Sequence, residues 1–253
     1  MKLILFDIDG TLLTTDGAGR AALRAAGADV FGIEEDLEGV AISGNTDVAI
    51  VHEILNKNGI PDSETNVNRY LGAYLAHLKQ RLVQQPGDVL PGVGALLDAS
   101  VQGGCIVGLL TGNLERGAQM KLATHHLWNR FSVGAFADDN LDRNMLGPIA
   151  KKRAEAKFQT AFDELFIIGD TPRDIACGQA ANATVLAVAT GRYSRENLAA
   201  HKPDYLFDDL SQTQAVLIAL GLDRSERPRV EAEACSSQVG RSLPDRRLFN
   251  ERQ

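Results

Sequence analysis

Cysteine is scarce in the 253 residues: Cys105, Cys177 and Cys235 are odd in number and lack CxxC spacing, which excludes a disulfide framework and a zinc knuckle. Cys105 and Cys177 stand in apolar context, as core cysteines do. No apolar run approaches the length of a membrane span, and the N-terminus enters a strand-like segment with one lysine and no cleavable apolar region. The expectation is a cytoplasmic, reducing setting with no membrane partner. Positive charge is not in excess either. The net charge is −7 with scattered basic residues, so no general attraction for nucleic acid is expected. The histidines His52, His77, His125, His126 and His201 lack metal-ligand spacing with carboxylates, and no Ser–His–Asp arrangement emerges. Trp128 is a core or interface residue on the same reasoning.

What is present is a series of short apolar runs, each ending in a small or polar residue: "LILFD" to Asp7, "CIVGLLTGN" to Thr111, "LFIIGD" to Asp170, "TVLAVATG" to Thr190 and "DYLFDD" near Asp208. Between the later runs lie segments of helical period, "LERGAQMKLATHHL", "PIAKKRAEAKFQ" and "PRDIACGQAA". Strand, helix, strand with near-continuous apolar strands predicts an α/β fold, a Rossmann-like doubly wound parallel sheet. Right-handed crossovers put all the C-terminal strand ends on one edge, where ligands of such sheets bind.

The first two runs are about a hundred residues apart, too far for an ordinary crossover. Three segments of helical period fill the gap, "GAGRAALRAAGADVFG", "TDVAIVHEILNKNG" with Thr46 as an N-cap, and "ETNVNRYLGAYLAHLKQRLVQ". The predicted organisation is a core of residues 1–16 and 86–222, an inserted helical cap over 17–85, and a tail over 223–253 without apolar period that is expected to be disordered.

Asp7 and Asp9 end the first run where the chain must turn at Gly10, and two bare carboxylates so close repel one another. A divalent metal such as Mg²⁺, which prefers carboxylate and water oxygens, resolves the repulsion. An EF-hand loop fails, because Ala18 stands where its glutamate is required. A second pair, Asp170 and Asp174, lies in "IIGDTPRDIA", with Pro172 suited to a first helical turn; helix capping by Asp170 is the competing explanation. Thr111, with the amides of Gly112 and Asn113, offers a small anion cradle ahead of the next helix.

The set "DIDGT", "LLTGN" and "GDTPRD", in that order with a helical insert after the first, resembles the phosphatases of the haloacid dehalogenase superfamily that carry a helical cap; the likeness spans roughly residues 1 to 220. The resemblance implies that Asp7 attacks phosphorus, Asp9 acts as acid and base and offers its backbone carbonyl to Mg²⁺, and Asp170 and Asp174 complete the metal site. That family has a lysine ahead of the helix that precedes the GDxxxD strand. Here "DDNLDRNMLGPIAKKRAEA" places Arg143 before a helix expected to start at Pro148, with Lys151 and Lys152 inside it. Arg143 is the chosen phosphate-bridging cation, since a planar guanidinium fork can span phosphate and carboxylate, and Lys152 is the reserve.

In the expected cap, "ISGNTDVAI" resembles the caps of phosphoglycolate phosphatase-like members, making Ser43, Asn45 and Thr46 candidate substrate contacts, with Arg20 a further one for a substrate carboxylate. As alternatives, Thr46 merely caps its helix and Arg20 is an exposed helical residue. The expected function is Mg²⁺-dependent hydrolysis of a phosphomonoester of a small metabolite, phosphoglycolate or a similar compound, by a monomer or homodimer. The competing expectations are a phosphomutase and a non-catalytic binding module on the same fold.

Overall fold

The computed structural model describes residues 1–34 and 37–223. The expected tail from 224 onward therefore lies outside the described residues. Among the described residues eight strands and nine α-helices follow one another: β1 Lys2–Phe6, β2 Leu13–Thr14, α1 Ala18–Phe31, α2 Asp47–Lys57, α3 Glu64–Gln84, β3 Asp88–Val89, α4 Val93–Gln102, β4 Ile106–Leu110, α5 Glu115–Thr124, β5 Val133–Ala135, α6 Leu146–Phe158, β6 Glu164–Gly169, α7 Pro172–Ala180, β7 Thr184–Val188, α8 Arg195–Ala200, β8 Tyr205–Phe207 and α9 Thr213–Ala219.

Six of the strands form one sheet in the order β5-β4-β1-β6-β7-β8, every pairing parallel. The chain starts in the middle with β1, builds outward on one side through β4 and β5, then crosses back to β6 and builds the other side. Strand order thus reverses at β1, and the crevice at its C-terminal end is where an open parallel sheet holds its ligand. Both faces are covered. Ile4 and Phe6 pack into one apolar cluster with Val107, Leu109 and Ile168, while Leu3 and Leu5 pack into another with Ile167 and the buried face of α6.

The five sequence-predicted strands correspond to β1, β4, β6, β7 and β8. Pairing with β4 adds β5, three residues long at the sheet edge and centred on Gly134, too short to show a period. Helix α6 begins at Leu146 and not at Pro148, because a 3₁₀ turn over Arg143–Met145 runs straight into it. Pro148 still falls within the first turn, where its missing N–H costs nothing.

Helices α1, α2 and α3 occupy the long gap and share a hydrophobic cluster built on Leu23, Ile54, Tyr70, Tyr74 and Leu78, joined by Leu114 and Ala137 from beneath. The Tyr70 hydroxyl donates to the Leu23 carbonyl at 2.9 Å, tying α3 to α1. Either side of these helices, β2 and β3 pair antiparallel, Leu13 with Val89 and Thr14 with Asp88. Among the described residues no helix is long and apolar enough to cross a membrane.

Ile167 on β6 is fully buried in the sheet's second cluster. Ile167→Ala is expected to lower the unfolding free energy by about 2–5 kcal/mol in urea titration, through the lost transfer energy and the cavity left behind.

Candidate active site

The turn after β1 explains why two aspartates end an apolar strand. The Asp7 amide donates to the Ile168 carbonyl at 2.9 Å, continuing the sheet ladder one residue past β1. The chain then folds over itself: the amides of Thr11, Leu12 and Leu13 all reach the Ile8 carbonyl, and Gly10 takes a φ of 82°. A β-carbon on Gly10 would stand 2.5 Å from an Asp170 carboxylate oxygen, so glycine is required both by the left-handed backbone and by the closeness of the second strand end.

Asp170 follows β6 directly, and the Thr11 hydroxyl donates to its Oδ1 at 3.1 Å. Helix capping by Asp170 is not what forms. The cap is Thr171, in a reciprocal capping box with Asp174: the Asp174 amide reaches Thr171 Oγ1 at 3.2 Å, and the Thr171 amide reaches Asp174 Oδ2 at 3.0 Å. The box engages Oδ2 of Asp174 and leaves Oδ1 to Arg143, whose guanidinium pairs with it directly and lies 3.2 Å from Asp7 Oδ1. Arg143 also donates to the Gly44 carbonyl at 3.1 Å. It is 5 % exposed, so it is an interior cation bridging the end of β1, the first turn of α7 and the loop before α2.

Oxygens of Asp7, Asp170 and Asp174 all lie within 4.8 Å of one another. Three buried carboxylates face one buried guanidinium, and the ion pair with Arg143 is the contact that Asp7 Oδ1 makes. Burial pushes Asp7 up to about 6, against the pull of Arg143, and burial together with Asp174 and Asp7 pushes Asp170 well above the carboxylate range. The residues fit a hard divalent cation: an all-oxygen donor set and an excess of negative charge over the one guanidinium.

Asp9 stands apart from these three. Its carboxylate takes Lys121 Nζ at 2.8 and 2.6 Å on its two oxygens, and Asn113 Nδ2 at 2.8 Å. Burial raises its pKa, but the Lys121 charge and the bonds from Lys121, Asn113 and Thr15 outweigh that, and the net shift is downward. Thr111 is fully buried at the end of β4 and accepts from both the amide and the side chain of Asn113, at 3.3 and 2.8 Å.

The residues of the expected anion cradle, Thr111, Gly112 and Asn113, stand at the cavity wall, with the Asn113 amide turned to Thr111 Oγ1. The next two amides, at the start of α5, are taken, Leu114 N–H by Asp47 Oδ2 at 2.9 Å and Glu115 N–H by Asp138 Oδ2 at 2.6 Å. Gly112 is held by close approach, since a β-carbon there would stand 2.1 Å from the Asn45 carbonyl. Burial pushes Asp47 up to about 6, partly offset by Lys121.

Asp7, Asp9, Asp170, Arg143 and Lys121 line a cavity of about 480 Å³ that also takes in Ser43, Asn45, Arg20, Thr15 and Arg192. Thr46 is not among its lining: it is fully buried, caps α2 by accepting the Ala49 amide, and donates to the Leu141 carbonyl at 3.0 Å. Lys152 lies on the exposed face of α6, away from the cavity, because Ala150 and Ala154 take the inward positions of that helix. The reserve cation is therefore misplaced for the role. Lys121 and Asp47 were not anticipated. Lys121 carried a signal, a charge falling three and four residues after Ala118 and Gly117 on the inward stripe of α5. Asp47 carried none, as an acidic first helical residue is commonplace.

A parallel doubly wound sheet with buried carboxylates gathered around Arg143 at its order reversal defines an α/β protein whose candidate reaction centre is a carboxylate cluster. A family model described as haloacid dehalogenase-like hydrolase matches residues 4–179, and the chain belongs to that family. It is similar to a phosphoglycolate phosphatase of Vibrio vulnificus strain YJ016, 27% identical over 223 residues that cover 86% of this chain and 96% of the relative. The fold is shared with a hydrolase from Pseudomonas syringae, TM-score 0.68 at 21% identity over 86% of this chain and 97% of that one. It is shared also with CbbY from Rhodobacter sphaeroides, solved in complex with phosphate, TM-score 0.68 at 15% identity over 83% and 95%.

Two outcomes test the electrostatics. Arg143→Ala strands two buried carboxylates and is expected to cost about 3–5 kcal/mol in urea titration, whereas Lys152→Ala stays within about 0.5 kcal/mol of the parent. Asp7 and Asp47 hold protons in the folded chain up to about pH 6 that the unfolded chain, at 3.8, has already released. Their contribution to stability is thus full below the unfolded value and lost as pH rises through 6, and melts of chelator-treated protein should show a lower Tm at about pH 7.5 than at about pH 5.

Proposed function

We propose that this hydrolase is a phosphatase of small phosphorylated metabolites that works through an aspartyl-phosphate on Asp7. The observation that carries the reading is the cluster of Asp7, Asp170 and Asp174 at the sheet's order reversal, opening on a cavity with basic side chains at its wall. The phosphatase name of the Vibrio relative supports it, and phosphoglycolate is the first substrate to try.

In this reading Asp7, Asp170, Asp174 and the Asp9 backbone carbonyl hold Mg²⁺, which when bound neutralises charge on the carboxylates and the phosphoryl oxygens. An Asp7 oxygen attacks phosphorus, the O–P bond forms and the ester P–O bond breaks. Protonated Asp9 gives its proton to the leaving alkoxide; its carboxylate then takes a proton from the water that attacks the aspartyl-phosphate and releases inorganic phosphate. Arg143 holds Asp7 against Asp174, so the nucleophile is fixed before substrate arrives. Thr111, Gly112 and Asn113 face the phosphoryl group from the end of β4, and Ser43, Asn45 and Arg20 face the remainder of the substrate from the proposed cap, residues 17–85.

The test is phosphate release from p-nitrophenyl phosphate and from a panel of alkyl phosphomonoesters including phosphoglycolate. Turnover is expected with Mg²⁺, lost on chelation and restored by re-addition, and Asp7→Asn is expected to fall by more than about 10³-fold in kcat. No metal-dependent turnover of any ester, or an active Asp7→Asn, would overturn the reading.

A further inference from the structure

Lys121 is placed where a lysine has no packing reason to be. It projects from the inward face of α5, beside Gly117, Ala118 and Leu122, and is 3 % exposed. Burying an ammonium costs several kcal/mol unless its partners are close and well oriented, so a residue kept here is kept for those partners. Its Nζ meets both Asp9 oxygens and, at 2.6 Å, Oδ1 of Asn113, whose own Nδ2 returns to Asp9. The three side chains close a ring. The Thr15 hydroxyl adds a longer contact to Asp9 at 3.5 Å. Asp9 and Lys121 both line the cavity, but the Asp9 side chain is 40% exposed and the Lys121 side chain 4%, so the carboxylate presents the more open surface of the pair.

We propose that Lys121 is a positioning residue for Asp9: with Asn113 it clamps both oxygens of the carboxylate and fixes the direction in which Asp9 meets the leaving oxygen and the attacking water. The inference rests on the phosphatase reading of the same site. Asp47, fixed by the Leu114 amide, lies within the field of the ammonium and leaves it an anionic neighbour when Asp9 carries a proton. The clamp is built from core elements, α5 and the loop after β4, while Asp47 belongs to α2. The direction of Asp9 is therefore set by the sheet and not by the substrate.

The experiment compares kcat/KM for p-nitrophenyl phosphate, whose leaving group departs without a proton, with that for the alkyl phosphomonoester the wild type hydrolyses fastest. This parameter covers the steps up to aspartyl-phosphate formation. Lys121→Met is expected to lose about 10²-fold on the alkyl ester and less than about 10-fold on the aryl ester, the difference being the acid assistance that a displaced Asp9 no longer gives. Equal losses on the two esters would overturn the proposal, since a loosened fold does not discriminate by leaving group.

The second arm measures Lys121→Met in an Asp9→Asn background, where neither charge of the pair is left unpartnered, so the protein remains measurable if the single variant does not fold. Acting through Asp9, Lys121→Met should there add no further loss on the alkyl ester. An additive loss would show that the lysine acts on something else and would overturn the proposal. A wild type that hydrolyses neither ester removes the phosphatase reading and this inference with it, an outcome distinct from an active wild type with an indifferent Lys121→Met.

Discussion

The constraint on which the structure turns is an imbalance of buried charge. Asp7, Asp170 and Asp174 come from two strand ends and one helix turn, and the buried cation bonded into their cluster is Arg143. Each carboxylate is tethered by a different backbone device: a ladder bond for Asp7, the crowding of Gly10 for Asp170, a capping box for Asp174. None of these devices can relax to separate the charges without breaking a strand end or a helix start. The fold therefore holds these carboxylates together at the sheet's order reversal, a donor set that suits a hard divalent cation.

The loop before α2 is bound into the same arrangement. The Gly44 carbonyl accepts from Arg143, the Asp47 amide donates to the Gly112 carbonyl at 2.7 Å, and the Asp47 carboxylate caps the start of α5. The inserted helices thus meet the carboxylate cluster through backbone groups on both sides. Ser43 and Asn45, which line the cavity, sit on that loop, between bonds that already fix it.

The sheet was readable because its strands are near-continuous apolar runs that stop at chemically conspicuous residues, and the acidic pairs lay at those stops. β5 was not, since three residues around a glycine have no period to detect. Arg143 could be picked as the cation by its place ahead of a helix, while Lys152 failed because helical phase puts it outward. Thr46 illustrates an ambiguity that sequence does not resolve: a residue that caps a helix and one that touches a ligand look alike until the hydroxyl is seen bonded to the Leu141 carbonyl. Lys121 and Asp47 are long-range partners whose meaning depends on Asp9 and Leu114, far from them in the chain.

The pairing of β2 with β3 has a mechanical corollary. Leu13, which pairs with Val89, also accepts the Gly10 amide at 2.9 Å, and Leu12 accepts the Leu90 amide at 3.0 Å. Entry to and exit from the helical insertion are stapled together on the very turn that carries Asp9. The two linkers of those helices and the turn of Asp9 are thus one hydrogen-bonded unit, and the backbone on which Asp9 stands is braced by the same pairing that closes the insertion.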